Sequence, residues 1–330
     1  MRKAIWLLFC FMLPVVLRAA AMSKTPILLD TDIGTDIDDA FALALIVRSP
    51  ELELLGVTTV SGDTEARARL AAKFLWESGF RRVPVVAGEP GKPLPIDQAR
   101  WAKGFRSPQL QPGSAVDFLD ATLRRQAGKI TIVAIGPLSN IAVLLQKDPA
   151  ISKKINQIVL MGGSIHHGYG ESTTPVAEYN IASDPVAAQA VFRSGVHIVM
   201  APLDVTAMLQ LHAAARHRVF TNATPIADAL AILYKLWNHR TPILFDPMAV
   251  AMLIDPALCQ TKPLNVGVDS NGFTRVVDSQ PPNATVALET DPAKFFEFYL
   301  GRIAPEAETS VNRELRLDVA LQGAGIAGYR

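Results

Sequence analysis

The chain alternates short apolar runs with amphipathic segments, and this alternation limits the folds open to it more than any other feature. Six apolar or β-branched runs are predicted to be buried strands: Ile27–Asp30, Leu52–Val60, Val83–Ala87, Ile130–Ile135, Ile155–Leu160 and Val196–Ala201. Such continuous apolar character is typical of parallel strands that are covered on both faces. Five intervening segments have the period of covering helices: Asp38–Arg48, Thr64–Ser78, Ala115–Gln126, Leu138–Gln146 and Pro185–Ser194. The series predicts an α/β fold with a mainly parallel sheet flanked by helices.

The C-terminal part departs from this alternation. Leu264–Val268, Thr274–Val277 and Thr285–Leu288 are predicted to be short strands, and the Asn271-Gly272 pair is a hairpin signal. A closing helix is predicted from Asp291 to Arg302. No shift of composition marks a second domain, so residues 22–330 are predicted to form one domain.

The composition excludes several classes of protein. With 330 residues, of which 49% are apolar and 19% charged, the chain is long enough to bury a large core and too apolar to be disordered. Its 32 basic and 31 acidic residues give a formal net charge of +1, which does not favour nucleic acid. No basic amphipathic helix predicts binding to a membrane surface. We therefore expect neither nucleic acid nor a membrane as a partner.

Residues 1–21 have the pattern of a secretory signal peptide. Two basic residues precede an apolar stretch from Ala4 to Leu17, and the three alanines at 19–21 resemble a signal peptidase site. Cleavage would leave Cys259 as the single cysteine, so no internal disulfide could form. The pattern predicts a periplasmic or secreted protein. An uncleaved anchor and a start at Met22 are the alternatives.

Acidic residues are crowded directly behind the first predicted strand. Five carboxylates fall within ten positions: Asp30, Asp32, Asp36, Asp38 and Asp39. Like charges this close are costly to desolvate, so the cluster needs a cation, shared protons or a wet loop. Helix capping cannot absorb all of them, because a helix end has only a few free donors. A hard cation is the simplest interpretation, since Ca²⁺ takes about six to eight oxygen ligands.

Polar residues also follow four other predicted strands. They are Ser61-Gly62-Asp63, Gly136-Pro137-Leu138-Ser139-Asn140, Met161-Gly162-Gly163 and Pro202-Leu203-Asp204. In a parallel sheet the loops beyond the carboxyl ends of the strands converge, and ligands bind there. The sequence therefore predicts one polar site at this edge of the sheet.

Two other carboxylate motifs were compared with the acidic segment. An EF-hand loop starting at Asp30 would need an oxygen ligand, a Gly and a Glu where Gly34, Thr35 and Phe41 stand, so this motif is excluded. An aspartyl phosphotransferase would use Asp30 as nucleophile and Asp32 as acid/base. Its motif normally has Thr or Val at the position of Gly34, so this activity is an alternative with a weaker match.

A series of motifs resembles the inosine-uridine-preferring nucleoside hydrolases. The motifs are Asp30-Thr31-Asp32-Ile33-Gly34, Asp38-Asp39-Ala40, Gly136-Pro137-Leu138-Ser139-Asn140-Ile141-Ala142, Val159-Leu160-Met161-Gly162-Gly163, Ala177-Glu178-Tyr179-Asn180-Ile181, Asp246-Pro247 and Ile254-Asp255-Pro256. They keep the family's order from about Pro26 to near Arg302. The resemblance implies an α/β fold, hydrolysis of the N-glycosidic bond of ribonucleosides to ribose and free base, one tightly held Ca²⁺, and a homodimer or homotetramer.

The resemblance also implies roles for individual residues. Asp32 would bind the metal and act as general base on its water. The other metal ligands implied are Asp39, Asp246 and the backbone carbonyl of Ile135. Asp38 would hold a ribose hydroxyl, and Glu178 and Asn180 would bind the 5′ side of the sugar. The carboxylates would also stabilise an oxocarbenium-like transition state.

The chain departs from the family pattern in the loops around these residues. Three residues separate Gly34 from Asp38 where the usual motif has one, so Asp36 is either a substitute ligand or a solvated loop residue. Asp63 stands where Asn is usual, and an ionised Asp accepts but does not donate a bond to a ribose hydroxyl. Ser172 lies about where a sugar-binding Asn is expected.

Phe245 is the largest departure, because the family places there a His thought to protonate the leaving base. A Phe can stack on a base but cannot deliver a proton. The candidates for another acid are His239, His166 and His167, each of which is otherwise a solvated loop residue. Base specificity therefore stays open.

The sequence leaves three functions open. The first is a Ca²⁺-dependent nucleoside hydrolase whose partner is a small nucleoside substrate. The second is an exported protein that binds a nucleoside or sugar without turnover. The third is the phosphotransferase that would use Asp30.

Overall fold

A computed structural model describes residues 24–126 and 128–305, so the predicted signal peptide lies outside the described residues. The strands are β1 (Thr25–Thr31), β2 (Leu52–Thr59), β3 (Val85–Ala87), β4 (Leu110–Gln111), β5 (Ile130–Ala134), β6 (Ile155–Met161), β7 (Ile198–Ala201), β8 (Cys259–Leu264), β9 (Val266–Val268), β10 (Thr274–Val276) and β11 (Ala284–Thr290). Nine of them form one sheet in the order β4-β3-β2-β1-β5-β6-β7-β11-β8.

All neighbours in this sheet are parallel except β8, which runs antiparallel to β11 at one edge. Strands β9 and β10 form a separate antiparallel hairpin in which Thr274 pairs with Val268. Its turn contains Gly272 at φ 82°, a backbone conformation that glycine adopts without strain. The predicted mainly parallel α/β fold and the predicted C-terminal hairpin are both confirmed.

Helices cover both faces of the sheet. They are α1 (Asp38–Val47), α2 (Thr64–Glu77), α3 (Ala115–Arg125), α4 (Ser139–Lys147), α5 (Tyr179–Ser183), α6 (Pro185–Phe192), α7 (Leu203–Thr206), α8 (Ala213–Phe220), α9 (Pro225–Trp237), α10 (Phe245–Ile254) and α11 (Pro292–Ile303). Short 3-10 turns occupy Asp97–Ala102, Pro149–Lys154 and Pro256–Leu258. Within residues 24–126 and 128–305, no helix combines the length and the apolar character needed to cross a membrane.

Each face of the sheet carries its own hydrophobic core, because side chains alternate along a strand. On β1, Ile27 and Leu29 belong to one core and Leu28 to the other. The first core includes the residues of α1 and α10, and the second includes the apolar residues of α4 and α6. One sheet with a core on each face makes a single domain.

The sequence did not predict the segment between β7 and β9. It missed α7 to α10 and the edge strand β8. Helix α10 has buried residues on all sides, so it shows no alternation of polar and apolar faces that would identify a helix. The predicted strand Leu264–Val268 is interrupted at Asn265, where the side chain of Asn283 accepts the Val266 N–H at 2.8 Å and donates to the Val266 carbonyl at 2.9 Å.

Candidate active site

A cavity of about 280 Å³ lies where several parallel strands end and α1 and α10 begin. Its lining residues are Asp32, Thr35, Asp36, Asp38, Asp39, Ile135, Met161, Tyr169, Glu178, Tyr179, Asn180, Phe245 and Asp246. Two surface grooves of about 900 and 740 Å³ are larger, but neither is lined by a buried carboxylate. The chemistry is therefore concentrated in the smaller cavity.

Helices α1 and α10 bring distant acidic residues together. They pack against each other through their buried apolar residues, and both begin at the cavity. Asp38 and Asp39 are the first two residues of α1, and Asp246 is the second residue of α10. The backbone N–H of Asp246 donates to Asp38 Oδ2 at 3.3 Å across 208 positions of sequence. The positive ends of two helix dipoles thus favour carboxylates at this point.

The three acids have the spacing of metal ligands. One carboxylate oxygen each of Asp38, Asp39 and Asp246 lies within 4.8 Å of the other two, and all three residues are buried. Asp39 and Asp246 are predicted ligands, whereas Asp38 is predicted to hold a ribose hydroxyl. Asp38 is therefore as close to a candidate cation position as these two ligands are, whereas Asp32, the third predicted carboxylate ligand, lines the cavity but is not part of this group.

The charges of the cluster fit a bound cation. Burial raises the pKa of Asp38, Asp39 and Asp246 well above the usual value, and repulsion from the neighbouring carboxylates raises it further. Burial also raises the pKa of Asp32 to about 6, against the opposing effect of the Arg67 guanidinium. A divalent cation would offset this repulsion, and carboxylate oxygens are the donors that hard cations prefer. The residues present therefore fit a metal site.

Hydrogen bonds from Arg67 hold the loop that carries Asp32. No sequence pattern predicted Arg67 as a residue of the site. Arg67 lies on α2 and is fully buried. Its guanidinium donates to the carbonyl of Asp32, to the carbonyl of Ile33 at 2.9 Å and to Thr35 Oγ1 at 2.8 Å. Gln98 Nε2 donates to the Asp36 carbonyl at 2.6 Å. These contacts fix the loop that is longer than the family motif, and Asp36 at its end lines the cavity.

The ends of β1 and β5 meet at the cavity floor. Ile135 follows β5 and lines the cavity, as its predicted role requires. A Cβ at Gly136 would lie 2.9 Å from Asp32 Oδ1, so only glycine allows this approach. Asn140 Nδ2 donates to Asp30 Oδ1 at 2.8 Å.

Asp30 lies beneath the cavity and does not line it. Its Oδ1 accepts a hydrogen bond from Thr58 Oγ1 at 2.5 Å, and its Oδ2 has no partner among the described residues. Burial raises its pKa to about 7. A nucleophile must reach its substrate, so this position disfavours the phosphotransferase that would use Asp30.

Glu178 and Asn180 form the wall on the side of α5. Glu178 caps this helix and accepts the N–H groups of Asn180 at 2.9 Å, Ile181 at 3.2 Å and Gly163 at 2.9 Å. Burial raises the pKa of Glu178 to about 7. Asn180 Nδ2 donates to the Met161 carbonyl at 3.2 Å and contacts the Met161 sulfur at 3.6 Å, which leaves the side-chain carbonyl oxygen for a ligand.

Two aromatic residues form another part of the wall. The ring of Phe245 lies edge-on to that of Tyr169, with centroids 6.0 Å apart and planes at 84°. The Tyr169 hydroxyl oxygen accepts the Tyr179 N–H at 2.9 Å. Tyr169 lies in an irregular loop without any periodic signal, so no sequence pattern predicted its place in the site.

Several candidate residues do not line the cavity. Asp63 is exposed and caps α2, accepting the Ala66 N–H at 2.9 Å, so the geometry gives no support to its predicted contact with substrate. His166, His167 and His239 are exposed and also stand outside the lining. So does Ser172, which bonds within its own loop.

Known proteins are similar to this chain in sequence and in architecture. The family model of inosine-uridine preferring nucleoside hydrolases matches residues 27–297. The pyrimidine-specific ribonucleoside hydrolase RihA of Salmonella gallinarum is 36% identical over 309 residues, which cover 84% of this chain and 98% of that enzyme.

Two solved structures are also similar. The purine-preferring ribonucleoside hydrolase from Gardnerella vaginalis aligns with a TM-score of 0.73 and 30% identity, covering 86% of this chain and 100% of that chain. A plant nucleoside hydrolase aligns with a TM-score of 0.74 and 25% identity, covering 85% of this chain and 99% of that chain. The chain is therefore an enzyme of the inosine-uridine preferring nucleoside hydrolase family.

Proposed function

We propose that this protein uses a water bound to Ca²⁺ to hydrolyse the N-glycosidic bond of ribonucleosides, releasing ribose and the free base. The observation that carries the proposal is the group of three buried carboxylates, from segments of the chain about 200 residues apart, within 4.8 Å of one another. A solvated acidic surface would not be buried, and a simple binding protein has little use for such a costly cluster.

Asp39 and Asp246 of this group would hold the Ca²⁺ together with Asp32 and the carbonyl of Ile135, which line the same cavity, and Asp38 is close enough to share it. When bound, the ion supplies a positive centre that makes its water more acidic. Asp32 would accept the proton of that water as its oxygen attacks the anomeric carbon. The carbonyls of Asp32 and Ile33 are held by Arg67, so Asp32 is fixed for this role.

The sugar would be bound by groups on both sides of the cavity. Asp38 would accept a hydrogen bond from a ribose hydroxyl, while Glu178 and Asn180 would bind the 5′ side of the sugar. Positive charge develops on the ribose as the glycosidic bond breaks, and surrounding carboxylates stabilise it. Phe245 would pack against the base.

The name of each relative mentions a different base. RihA is called pyrimidine-specific, and the Gardnerella enzyme is called purine-preferring. The proposed reaction is common to both names, whereas the base has to be inferred from this chain's own cavity.

The test is to incubate the purified protein with uridine or inosine and calcium, and to measure free base and ribose. We expect equal amounts of base and ribose, with release abolished by strong chelation and restored by added Ca²⁺. Asp32→Ala should also abolish release. Binding without release would favour the non-catalytic alternative, and full activity of Asp32→Ala would exclude Asp32 as the base.

We further propose that the protein acts in the periplasm or outside the cell, as a homodimer or homotetramer. The pattern of residues 1–21 and the family resemblance support these two points respectively. Mass spectrometry of the exported protein should find Met22 at its N-terminus, and sedimentation should give a mass of two or four chains. A retained leader or a monomer would contradict them.

A further inference from the structure

The cavity lacks a donor for the leaving base at the position where the family resemblance expects one. Phe245 occupies that position, and the exposed His166, His167 and His239 do not line the cavity, although His239 is close enough to the lining residue Asp36 to lower the pKa of that carboxyl. If the proposed function holds, the electron pair of the broken bond goes to the base, and its charge must be stabilised by another group. Tyr169 lies directly beside Phe245.

The hydroxyl of Tyr169 is free to donate. Its oxygen accepts the Tyr179 N–H at 2.9 Å, which uses one lone pair and leaves the O–H proton for another partner. No acceptor for that proton is found within residues 24–126 and 128–305. Tyr169 is 45% exposed as a residue, and the partial burial of its hydroxyl, followed by the charges of Glu178, Asp38 and Asp36, raises its pKa.

The loop before Tyr169 is held by groups from two other elements. Asp204 of α7 accepts the N–H groups of Ile165 and His166, each at 2.8 Å. Thr274 of β10 accepts the Ser164 N–H at 2.9 Å and donates to the Ser164 carbonyl at 2.8 Å. A donor on such a fixed loop meets the requirement of preorganisation for stabilising charge.

We infer that Tyr169 is a further catalytic residue, whose hydroxyl donates a hydrogen bond to the carbonyl oxygen beside the glycosidic nitrogen of a pyrimidine base. As the glycosidic bond breaks, its electron pair enters the base and part of the charge reaches this oxygen. Tyr169 keeps its proton. The attacking water gives its oxygen and one hydrogen to ribose, and its second hydrogen passes through Asp32 and solvent to the base.

The class of nucleoside follows from the place that we infer for the Tyr169 hydroxyl, beside the glycosidic nitrogen. In uridine and cytidine, a carbonyl group is bonded next to the glycosidic nitrogen. In a purine, neither ring neighbour of that nitrogen bears a carbonyl, and departure requires an acid on another side of the base. Phe245 offers no such acid, so pyrimidine ribonucleosides are the substrates that the aromatic wall favours.

The experiment compares wild type with Tyr169→Phe on uridine, inosine and para-nitrophenyl ribofuranoside, whose phenolate leaves without a hydrogen-bond donor. We expect Tyr169→Phe to lower kcat for uridine by about tenfold or more with little change in KM. Hydrolysis of the nitrophenyl compound should change by less than about twofold. Wild type should prefer uridine to inosine.

Two further variants separate a direct role from a structural one. Tyr234→Phe is the matched control, because its hydroxyl bonds the Arg240 carbonyl at 2.7 Å and does not line the cavity. It should leave the ratio of the two activities unchanged. Phe245→His in the Tyr169→Phe background should restore part of the uridine activity, since an imidazole beside residue 169 again supplies a donor.

Equal losses on uridine and the nitrophenyl compound would overturn the inference, since they would indicate a structural effect. Full uridine activity of Tyr169→Phe, or a wild type that prefers inosine, would overturn it as well. In each case hydrolysis itself would still stand. A wild type without activity on any of the three substrates would overturn the proposed hydrolase and this inference together.

Discussion

Arg67 shows at the scale of one residue how the acidic loop is kept in place. We expect Arg67→Met to lower the free energy of unfolding by about 3 kcal/mol, because buried carbonyls at Asp32 and Ile33 would lose their donor. Arg67→Lys should lose less, since it keeps a charge but not the planar fork. Denaturant unfolding measures both.

The control for this prediction is two positions further along the same helix. Arg69 has a side chain that is 34% exposed and pairs with Glu65 at 3.4 Å on the surface. Arg69→Met should therefore cost less than about 0.5 kcal/mol. Equal effects at the two positions would contradict the role of Arg67 in the loop.

The same scale explains which site residues the sequence could predict. Asp32 directly follows β1, and Asp38 and Asp39 begin the helix after it, so their place at the carboxyl end of this strand is a local inference. Arg67 carries a weaker signal, a charge on the helix face shared by Leu70 and Phe74. Asp63 satisfies its helix end locally, and sequence alone does not distinguish such a cap from a ligand.

At the scale of elements, the β9–β10 hairpin supports the loop of residues 162–169. We expect Thr274→Val to reduce amide-exchange protection in that loop, because the buried Ser164 would lose a donor and an acceptor. Protection in β1 should not change. Thr285→Val on β11 is the control, and a loss of loop protection there too would show a general loosening of the sheet.

The closing helix α11 is tied to the chain before β2 by an ion pair. The two terminal guanidinium nitrogens of Arg302 donate to the carboxylate of Glu51, Nη1 to Oε2 at 2.9 Å and Nη2 to Oε1 at 2.8 Å. These bonds lower the pKa of Glu51 below its usual value of 4.5. A lowered folded-state pKa gives stability that is complete above the unfolded value and is lost as the pH falls through the folded value.

Glu51→Gln should therefore lower the free energy of unfolding by about 0.5–1 kcal/mol at neutral pH, since the pair is only partly buried. The difference from wild type should shrink as the pH falls below 4.5. Glu53→Gln on β2 is the control and should show no such dependence. A difference in the free energy of unfolding between Glu51→Gln and wild type that did not change with pH would contradict its assignment to the ion pair.

Most elements with a one-sided or continuous apolar pattern were predicted, but α9 was not, although it buries one face. The longer strands of the parallel sheet are flanked by polar turns, so their existence followed from the sequence, whereas the two-residue β4 lies in a segment interpreted as a linker. Helix α10 has no polar face, and the short β8 at the sheet edge is mostly exposed. Its pairing with β11 is non-local, so nothing in its own residues indicated a strand.

At the scale of the molecule, the acidic cluster joins the first and last thirds of the domain through α1 and α10. Without a cation this junction opposes folding, because burial and repulsion destabilise the ionised forms of Asp38, Asp39 and Asp246. With a cation the same residues become a link between distant segments. The order of stability of wild type and of a variant that lacks one charge should therefore differ with and without the ion.

Asp246→Asn tests this dependence. In excess chelator we expect the variant to unfold at a higher temperature than wild type, with a gain of about 1–3 kcal/mol from one fewer buried charge. In millimolar Ca²⁺ the order should reverse, because wild type binds the ion about a thousandfold or more tightly than the variant and its stability rises with the logarithm of one plus the ratio of free Ca²⁺ to Kd. Differential scanning calorimetry with a Ca²⁺ titration measures both.

The control is Asp255→Asn, which removes a carboxylate that caps the 3-10 turn at Pro256–Leu258. Its effect on stability should be the same with and without Ca²⁺. An Asp246→Asn protein less stable than wild type in chelator and equally responsive to Ca²⁺ would show that Asp246 has a structural role and does not bind the ion.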